Sequence, residues 1–197
     1  MNLPTRVNRQ SLMLAPLIAA LACVPQSTTS AKSPEQDKGM EKFANDKDFH
    51  KAHTHREPDK VKLEGKNIEF VVGEGKGKAY WVAPKAGQTQ SLLMIHEWWG
   101  LNDNIRQTAD MVRDKAGYGV LAIDLYKGQV AKSADEAGKL MGQVDERLSA
   151  TTINAALRLL QSGVDGGKGA TKIGTIGFCF GGGWSHKAAV MGGDNVQ

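Results

Sequence analysis

The sequence predicts an α/β domain built on a doubly wound, mostly parallel sheet. Three short apolar segments without polar alternation are separated by amphipathic helical segments, an order typical of parallel strands covered by helices on both faces. Such strands are joined by right-handed crossovers, and ligands collect at their carboxyl ends. The three predicted strands are residues 92–95, 120–123 and 172–177.

The other elements follow in chain order. Residues 61–72 and 78–83 predict two strands joined through the glycine-rich segment 73–77, which indicates an antiparallel start. Apolar residues at helical spacing and the stop signal Gly117 predict a helix over 103–116. The later predicted helices are one that starts at a capping box of Ser133 and Glu136, one with Ile153, Leu157 and Leu160 on one face, and one over 182–190.

Length and composition favour one globular domain. The chain has 197 residues, of which 41% are hydrophobic, and this is ordinary for a folded domain. Arg6 and Arg9 account for half of the formal net charge of +4. Because no cluster of basic residues is present in the rest of the chain, we expect no nucleic-acid partner.

The N-terminus predicts export. Two arginines precede the apolar residues 12–22, a length typical of a signal-peptide core. The stretch Ala20-Leu-Ala-Cys23 resembles a bacterial lipoprotein processing site, which implies lipidation of Cys23 and anchoring to a membrane. A plain secretory signal cleaved nearby is an equal alternative. We therefore expect a signal peptide over 1–23, a polar linker over 24–60, a folded part over 61–197, and a location in the periplasm or at the cell envelope.

The stretch Gly177-Phe-Cys-Phe-Gly-Gly-Gly183 follows the third parallel strand directly. A strand that runs straight into a helix forces the residue between them into a strained conformation, and Gly177 and Gly181 remove side chains that would collide there. The sulfur of Cys179 then stands above the sheet beside a helix N-terminus that favours a thiolate. The N–H of Phe180 becomes half of an oxyanion hole. The alternatives are a nucleotide-binding glycine loop, whose fingerprints are not spelled here, and a buried structural cysteine.

The stretch His96-Glu-Trp-Trp-Gly100 follows the first parallel strand. In a hydrolase sheet this loop supplies the second oxyanion N–H, here that of Trp98. Glu97 then lies near the thiol and becomes a candidate tuner of its reactivity, with a salt-bridged strand-end glutamate as the alternative. Strand alternation points His96 to the opposite face, which favours a structural role.

Three motifs resemble the dienelactone hydrolase family, whose founding activity is that of carboxymethylenebutenolidase. They are residues 95–102, 117–126 and 176–183, and they stand in the family's order. The resemblance implies an α/β-hydrolase fold, a Cys-His-Asp triad, and a small-molecule ester or lactone as substrate, with no cofactor and no metal. It also implies that Cys179 is the nucleophile and that Glu97 holds the resting thiol.

The chain departs from the family pattern at two places. Where the family has an arginine for a substrate carboxylate, this chain has only Lys127, Lys132 and Lys139, and lysine lacks the two-pronged fork of arginine. His186 and Asp194 do not suit the triad base and its orienting acid. We therefore expect a fold that stops after the elbow, with the third parallel strand at the edge of the sheet, and a chain inactive alone. The alternative is a non-catalytic remnant of the family. A thiol-redox protein ranks last, since Cys179 has no resolving cysteine.

Overall fold

A computed structural model describes residues 47–48 and 60–197 of the chain. The predicted signal peptide, the predicted lipidation of Cys23 and nearly all of the predicted linker lie outside the described residues. Within the described part, no helix combines the length and the apolar character that crossing a membrane requires.

Five strands and four α-helices form the described domain, with the strands numbered β1 to β5 and the helices α1 to α4. The first three strands are consecutive, and helices then alternate with the last two. In chain order the elements are β1 (Lys66–Val72), β2 (Gly75–Val82), β3 (Gln90–Ile95), α1 (Asp103–Ala116), β4 (Gly119–Ile123), α2 (Ala134–Gly142), α3 (Glu146–Ser162), β5 (Lys172–Gly177) and α4 (Phe180–Gly192).

The five strands form one mixed sheet in the order β1-β2-β4-β3-β5. β1 pairs with β2, and β2 with β4, in antiparallel fashion, whereas β3 pairs in parallel with both β4 and β5. The predicted α/β fold with an antiparallel start and a parallel part is therefore confirmed. β5 is last in this order, and at its outer edge Val196 forms a parallel bridge with Ile173.

Two apolar cores cover the two faces of the sheet. Alternate residues of β3 belong to different cores, with Leu93 and Ile95 on one face and Met94 on the other. The first core contains apolar residues of α3 and α4, such as Leu157 and Trp184. The second contains residues of α1. Burial on both faces explains why the parallel strands lack polar alternation.

The ends of α1 fall where the sequence predicts them. Asn102 caps the N-terminus by accepting a hydrogen bond from the Ile105 N–H at 3.1 Å. Gly117 ends the helix in a left-handed conformation with φ 80°, and its N–H donates to the Arg113 carbonyl at 2.7 Å. A side-chain cap at one end and a glycine at the other are strong local signals, and they explain why the helix begins and ends at the predicted residues.

The β-hairpin and α4 differ from their predicted bounds. Val72 pairs with Gly75, so the turn consists of two residues rather than the predicted 73–77. Gly77 lies inside β2 opposite Phe70, and a side chain there would strike the Phe70 ring, so this glycine serves packing instead of a turn. α4 starts at Phe180 rather than at residue 182, because the chain enters the helix directly from Cys179.

Candidate active site

Cys179 occupies the turn between β5 and α4. Its backbone has φ 50° and ψ −114°, and it is one of three non-glycine residues at positive φ in the described part of the chain. A side-chain-bearing residue in this region costs about 1–3 kcal/mol, so the surrounding structure must hold it there. The cysteine is exposed and forms no disulfide. The predicted sharp elbow is therefore present, and its single thiol faces solvent.

The two glycines that flank the elbow leave no room for a side chain, because backbone atoms of neighbouring segments lie against them. A β-carbon on Gly177 would overlap the carbonyl group of Gly181. A β-carbon on Gly181 would overlap the carbonyl oxygens of Ile95 and His96 at the end of β3. These neighbours are backbone atoms, which cannot rotate away as side chains do. The elbow therefore packs directly against the loop that follows β3.

The N-terminus of α4 lies next to the thiol. The N–H of Gly181 donates to the Phe178 carbonyl at 2.8 Å and that of Gly182 donates to the Cys179 carbonyl at 2.9 Å, which closes the first turn. Phe180 is the first residue of the helix, and the Cys179 side chain caps no N–H of that turn. A helix N-terminus carries partial positive charge, so this position suits an anionic sulfur. The oxyanion role of the Phe180 N–H stays a prediction.

Glu97 and Trp98 follow the strand that neighbours β5. Ile95 is the parallel partner of Gly177, so Glu97 and Cys179 each lie two residues beyond the same pair at the same edge of the sheet. The Glu97 side chain is half-buried and its carbonyl accepts from the Gly100 N–H at 3.1 Å. Trp98 is half-buried as well. The topology thus brings both predicted residues to the elbow's edge of the sheet, while their chemical roles stay predictions.

His96 is a structural link between two loops, as its place in the strand predicts. The ring is fully buried, and its Nδ1 lies 2.6 Å from the Glu97 carbonyl oxygen. Its Nε2 accepts a hydrogen bond from the Leu125 N–H at 3.1 Å, so the proton of the neutral ring resides on Nδ1. Burial lowers the pKa of His96 below its ordinary value. A neutral ring with both nitrogens engaged is a poor general base.

The Asp124-Leu-Tyr126 turn after β4, part of the second family motif, places Tyr126 at the site. Asp124 accepts hydrogen bonds from the N–H groups of Tyr126, at 2.7 Å, and Gly128. These bonds direct the Tyr126 ring inward, where its centroid lies 4.6 Å from that of His96 and 5.4 Å from that of Phe180. Tyr126 therefore packs against the first residue after Cys179.

A cavity of about 490 Å³ opens beside this turn. Tyr126 and Asp124 line it, together with the lysines Lys76, Lys78 and Lys127. The carboxylate of Asp124 is occupied by backbone N–H groups. The cavity size suits a small organic molecule. The cations that line this cavity are thus lysine ammonium groups and not an arginine fork. Lys132, just before α2, and Lys139, on α2, are exposed.

The two residues judged unsuitable for the triad lie on and beyond α4. His186 is exposed seven residues along the helix from Cys179, about 10 Å at the helical rise. Asp194 is exposed in a 3₁₀ turn after α4. The described residues also contain no group of three or more His, Cys, Asp or Glu side chains placed to hold a metal ion.

Fold and elbow together define the class of protein. A mixed sheet in this strand order, with a strained residue between a parallel strand and its helix, is an α/β-hydrolase arrangement. The model of the dienelactone hydrolase family matches residues 78–197, more than half of the sequence, and the chain belongs to that family. The membership inferred from the three sequence motifs is confirmed.

Known proteins resemble the chain over its folded part. A protein of Aquifex aeolicus, provisionally named a carboxymethylenebutenolidase, is 36% identical over 127 residues, which are 60% of this chain and 52% of that protein. The chain thus spans about half the length of the curated relatives it matches. The solved structure of m3DLH is 26% identical with a TM-score of 0.54, covering 66% of this chain and 55% of that one. A dienelactone hydrolase from Anabaena variabilis is 26% identical with a TM-score of 0.51, covering 68% and 61%.

Proposed function

We propose that the protein hydrolyses ester or lactone bonds of small molecules, with Cys179 as the nucleophile. The observation that supports this proposal is the conformation of Cys179, which combines positive φ, exposure and a position at the N-terminus of α4. A strained residue persists where the surrounding structure imposes it, and such residues cluster at active sites. Membership of the dienelactone hydrolase family supports the same reaction class.

The proposed chemistry begins with the thiolate of Cys179. Its sulfur attacks the carbonyl carbon of the substrate, a carbon–sulfur bond forms, and the carbonyl oxygen becomes an oxyanion that the N–H groups of Phe180 and Trp98 stabilise. Collapse of this intermediate breaks the carbon–oxygen bond and leaves a thioester, while the departing alkoxide takes a proton from water and, in a lactone, stays attached to the acyl group. The hydroxide or a further water then attacks the thioester, the carbon–sulfur bond breaks, and the carboxylic acid leaves as the thiolate is restored. Glu97 is proposed to hold the resting thiol by hydrogen bonding.

The second half of the reaction needs a general base to activate water, a contribution of about 10²–10⁴ in rate. His96 has both ring nitrogens engaged and His186 is exposed on α4, so neither histidine is proposed for that role. The first half, with a leaving group that needs no proton, requires only the thiolate and the proposed backbone donors. Formation of the thioester is therefore the sharper test of the proposal.

The substrate is proposed to bind at the edge of the sheet shared by the elbow and the lysine-lined cavity. Tyr126 lines the cavity and contacts Phe180, so it connects the two. The volume of about 490 Å³ accommodates a small ester or lactone. Residues 1–23 are proposed to export the chain, with Cys23 as a candidate lipid anchor, which cell fractionation and labelling with a radioactive fatty acid would test.

Acylation of Cys179 by p-nitrophenyl acetate tests the proposed function. We expect the full chain to release p-nitrophenol in a burst and to carry one acetyl group on Cys179, located by peptide mass mapping. Free N-acetylcysteine is the reference thiol, and Cys179→Ala is the variant without the nucleophile. If Cys179 acetylates no faster than this free thiol, the assignment of the nucleophile is wrong.

A further inference from the structure

The hydroxyl of Tyr126 is buried without a hydrogen-bond partner. Only 3% of the Tyr126 surface is exposed, and its oxygen makes no hydrogen bond to any described residue. Its ring packs edge-on to His96 and lies against Phe180. Buried hydroxyl groups are normally paired, since an unpaired one loses its bonds to water and gains none in return. This hydroxyl therefore lowers the stability of the fold, which points to a purpose other than holding the fold together.

Tyr80 shows how the same chain treats a structural tyrosine. The Tyr80 hydroxyl donates to the Asp110 carboxylate, with oxygen–oxygen distances of 2.7 and 2.9 Å. It also accepts the Gly65 N–H at 2.5 Å. That network ties the segment before β1 to β2 and α1. Tyr126 has equally deep burial and none of these bonds, so its hydroxyl does not hold the fold together.

The ring that carries the unpaired hydroxyl lies against the elbow, with its centroid 5.4 Å from that of Phe180, the residue after Cys179. Burial raises the pKa of Tyr126 well above its ordinary value, and the charge of the Cys179 sulfur raises this pKa further. The hydroxyl therefore keeps its proton at neutral pH. It is a permanent hydrogen-bond donor beside a sulfur that becomes an acceptor when it ionises.

We propose that the Tyr126 hydroxyl is a hydrogen-bond donor reserved for the ionised sulfur of Cys179. The hydroxyl oxygen is sealed from solvent, so an incoming substrate atom does not reach it without opening the pocket. The Cys179 side chain is exposed, forms no disulfide and caps no helix N–H, and the residue after it, Phe180, packs against the Tyr126 ring. This inference deepens the proposed function, because it concerns the same sulfur, and assigns Tyr126 as a positioning residue.

Other charged and titratable groups at this end of the sheet are already engaged or differently placed. His96 is neutral with both nitrogens bonded, and Asp124 accepts two backbone N–H groups. Glu97 lies on the loop after β3, and an ionised carboxylate there would oppose a thiolate through its charge. His186 is exposed on α4. The lysines that line the same cavity, Lys76, Lys78 and Lys127, are exposed. Tyr126 is the buried and unpaired side-chain donor on the β4 side, and we assign it to stabilising the anion.

Alkylation of Cys179 by iodoacetamide in the Tyr126→Phe variant tests the inference. Phenylalanine keeps the ring contacts and removes only the hydroxyl. We expect alkylation to slow about tenfold at about pH 7, the effect of losing a hydrogen bond to a charged group. At about pH 10, where thiols ionise unaided, the variant and the wild type should react equally fast. Tyr118→Phe, in the half-buried tyrosine at the opposite end of β4, is the matched control and should change neither rate.

Thermal melts separate the proposed role from a structural one. Tyr126→Phe should melt at the wild-type temperature or slightly above it, because it removes an unpaired buried group. Tyr80→Phe should melt lower, because it breaks bonds to Asp110 and Gly65. A clear drop in the melting temperature of Tyr126→Phe would overturn the inference, and so would equal alkylation rates at neutral pH or equal slowing at both pH values.

The two proposals fail in different ways. If p-nitrophenyl acetate does not acylate wild-type Cys179 but Tyr126→Phe shows the neutral-pH loss in alkylation, the proposed function is refuted and the inference holds. If Tyr126→Phe slows acylation by the ester and leaves alkylation unchanged, the hydroxyl acts on the substrate instead, and the assignment to the sulfur is wrong.

Discussion

Replacing Cys179 by glycine should stabilise the fold relative to replacing it by alanine. Both variants lack the sulfur, but alanine retains the β-carbon that makes φ 50° and ψ −114° costly. That strain is worth about 1–3 kcal/mol. Glycine forfeits about 0.5–1 kcal/mol through the greater freedom of the unfolded chain. The expected net gain is about 1 kcal/mol, which raises the melting temperature by about 4 °C for a domain of this size.

Calorimetric melts and urea titrations of the two variants measure this difference, and two other positions calibrate it. Lys127 is an exposed residue with φ 56°, so Lys127→Gly should also exceed Lys127→Ala in stability. Lys115 lies exposed in the last turn of α1 and is a helical position, so Lys115→Gly should be less stable than Lys115→Ala by about 1 kcal/mol. Comparing alanine with glycine at each site removes the effect of the native side chain.

The strain argument has a clear refutation. If Cys179→Gly melts at or below Cys179→Ala while the Lys127 and Lys115 pairs behave as described, the elbow stores no strain. The conformation of Cys179 would then give no support to a functional role for this turn. If all three pairs favour alanine, the positive φ of Lys127 is in doubt as well.

Two further predictions concern the glycine pair and the buried histidine. Gly181→Ala should destabilise the domain by about 3 kcal/mol or more in urea titrations, because the new β-carbon overlaps the Ile95 and His96 carbonyls. Gly183→Ala in the same helix is the control: its β-carbon meets no atom, so the variant should be neutral or stabilising. The pKa of His96 is lowered in the folded chain, so below about pH 6.5 the unfolded chain binds a proton that the folded chain does not bind. The contribution of His96 to stability is therefore fully present above that pH. Toward pH 5 the free energy of unfolding falls by up to about 1.4 kcal/mol per pH unit. Urea titrations across this range should show a shallower slope for His96→Asn, and an unchanged slope would contradict the account of His96.

Local signals in the sequence predicted the elements that depend on neighbouring residues alone. Short apolar segments gave β4 and β5 nearly to the residue, and apolar residues at helical spacing with the stop at Gly117 gave α1, to which the structure adds the cap at Asn102. The hairpin was harder, because Gly75 and Gly77 have turn composition but lie in β2. Gly77 is a glycine because the Phe70 ring covers it, and that contact joins two strands.

The sequence by itself determined the parallel α/β pattern, the family motifs and the strand-to-helix turn at Cys179, since all three are written in contiguous residues. Only the tertiary structure decided that the Gly181 backbone lies against the end of β3 and that His96 links two loops. It also placed the ring of Tyr126, whose hydroxyl is buried and unpaired, against Phe180 of the elbow. These features depend on which strands become neighbours, and strand order is set by burial of both sheet faces rather than by any local preference.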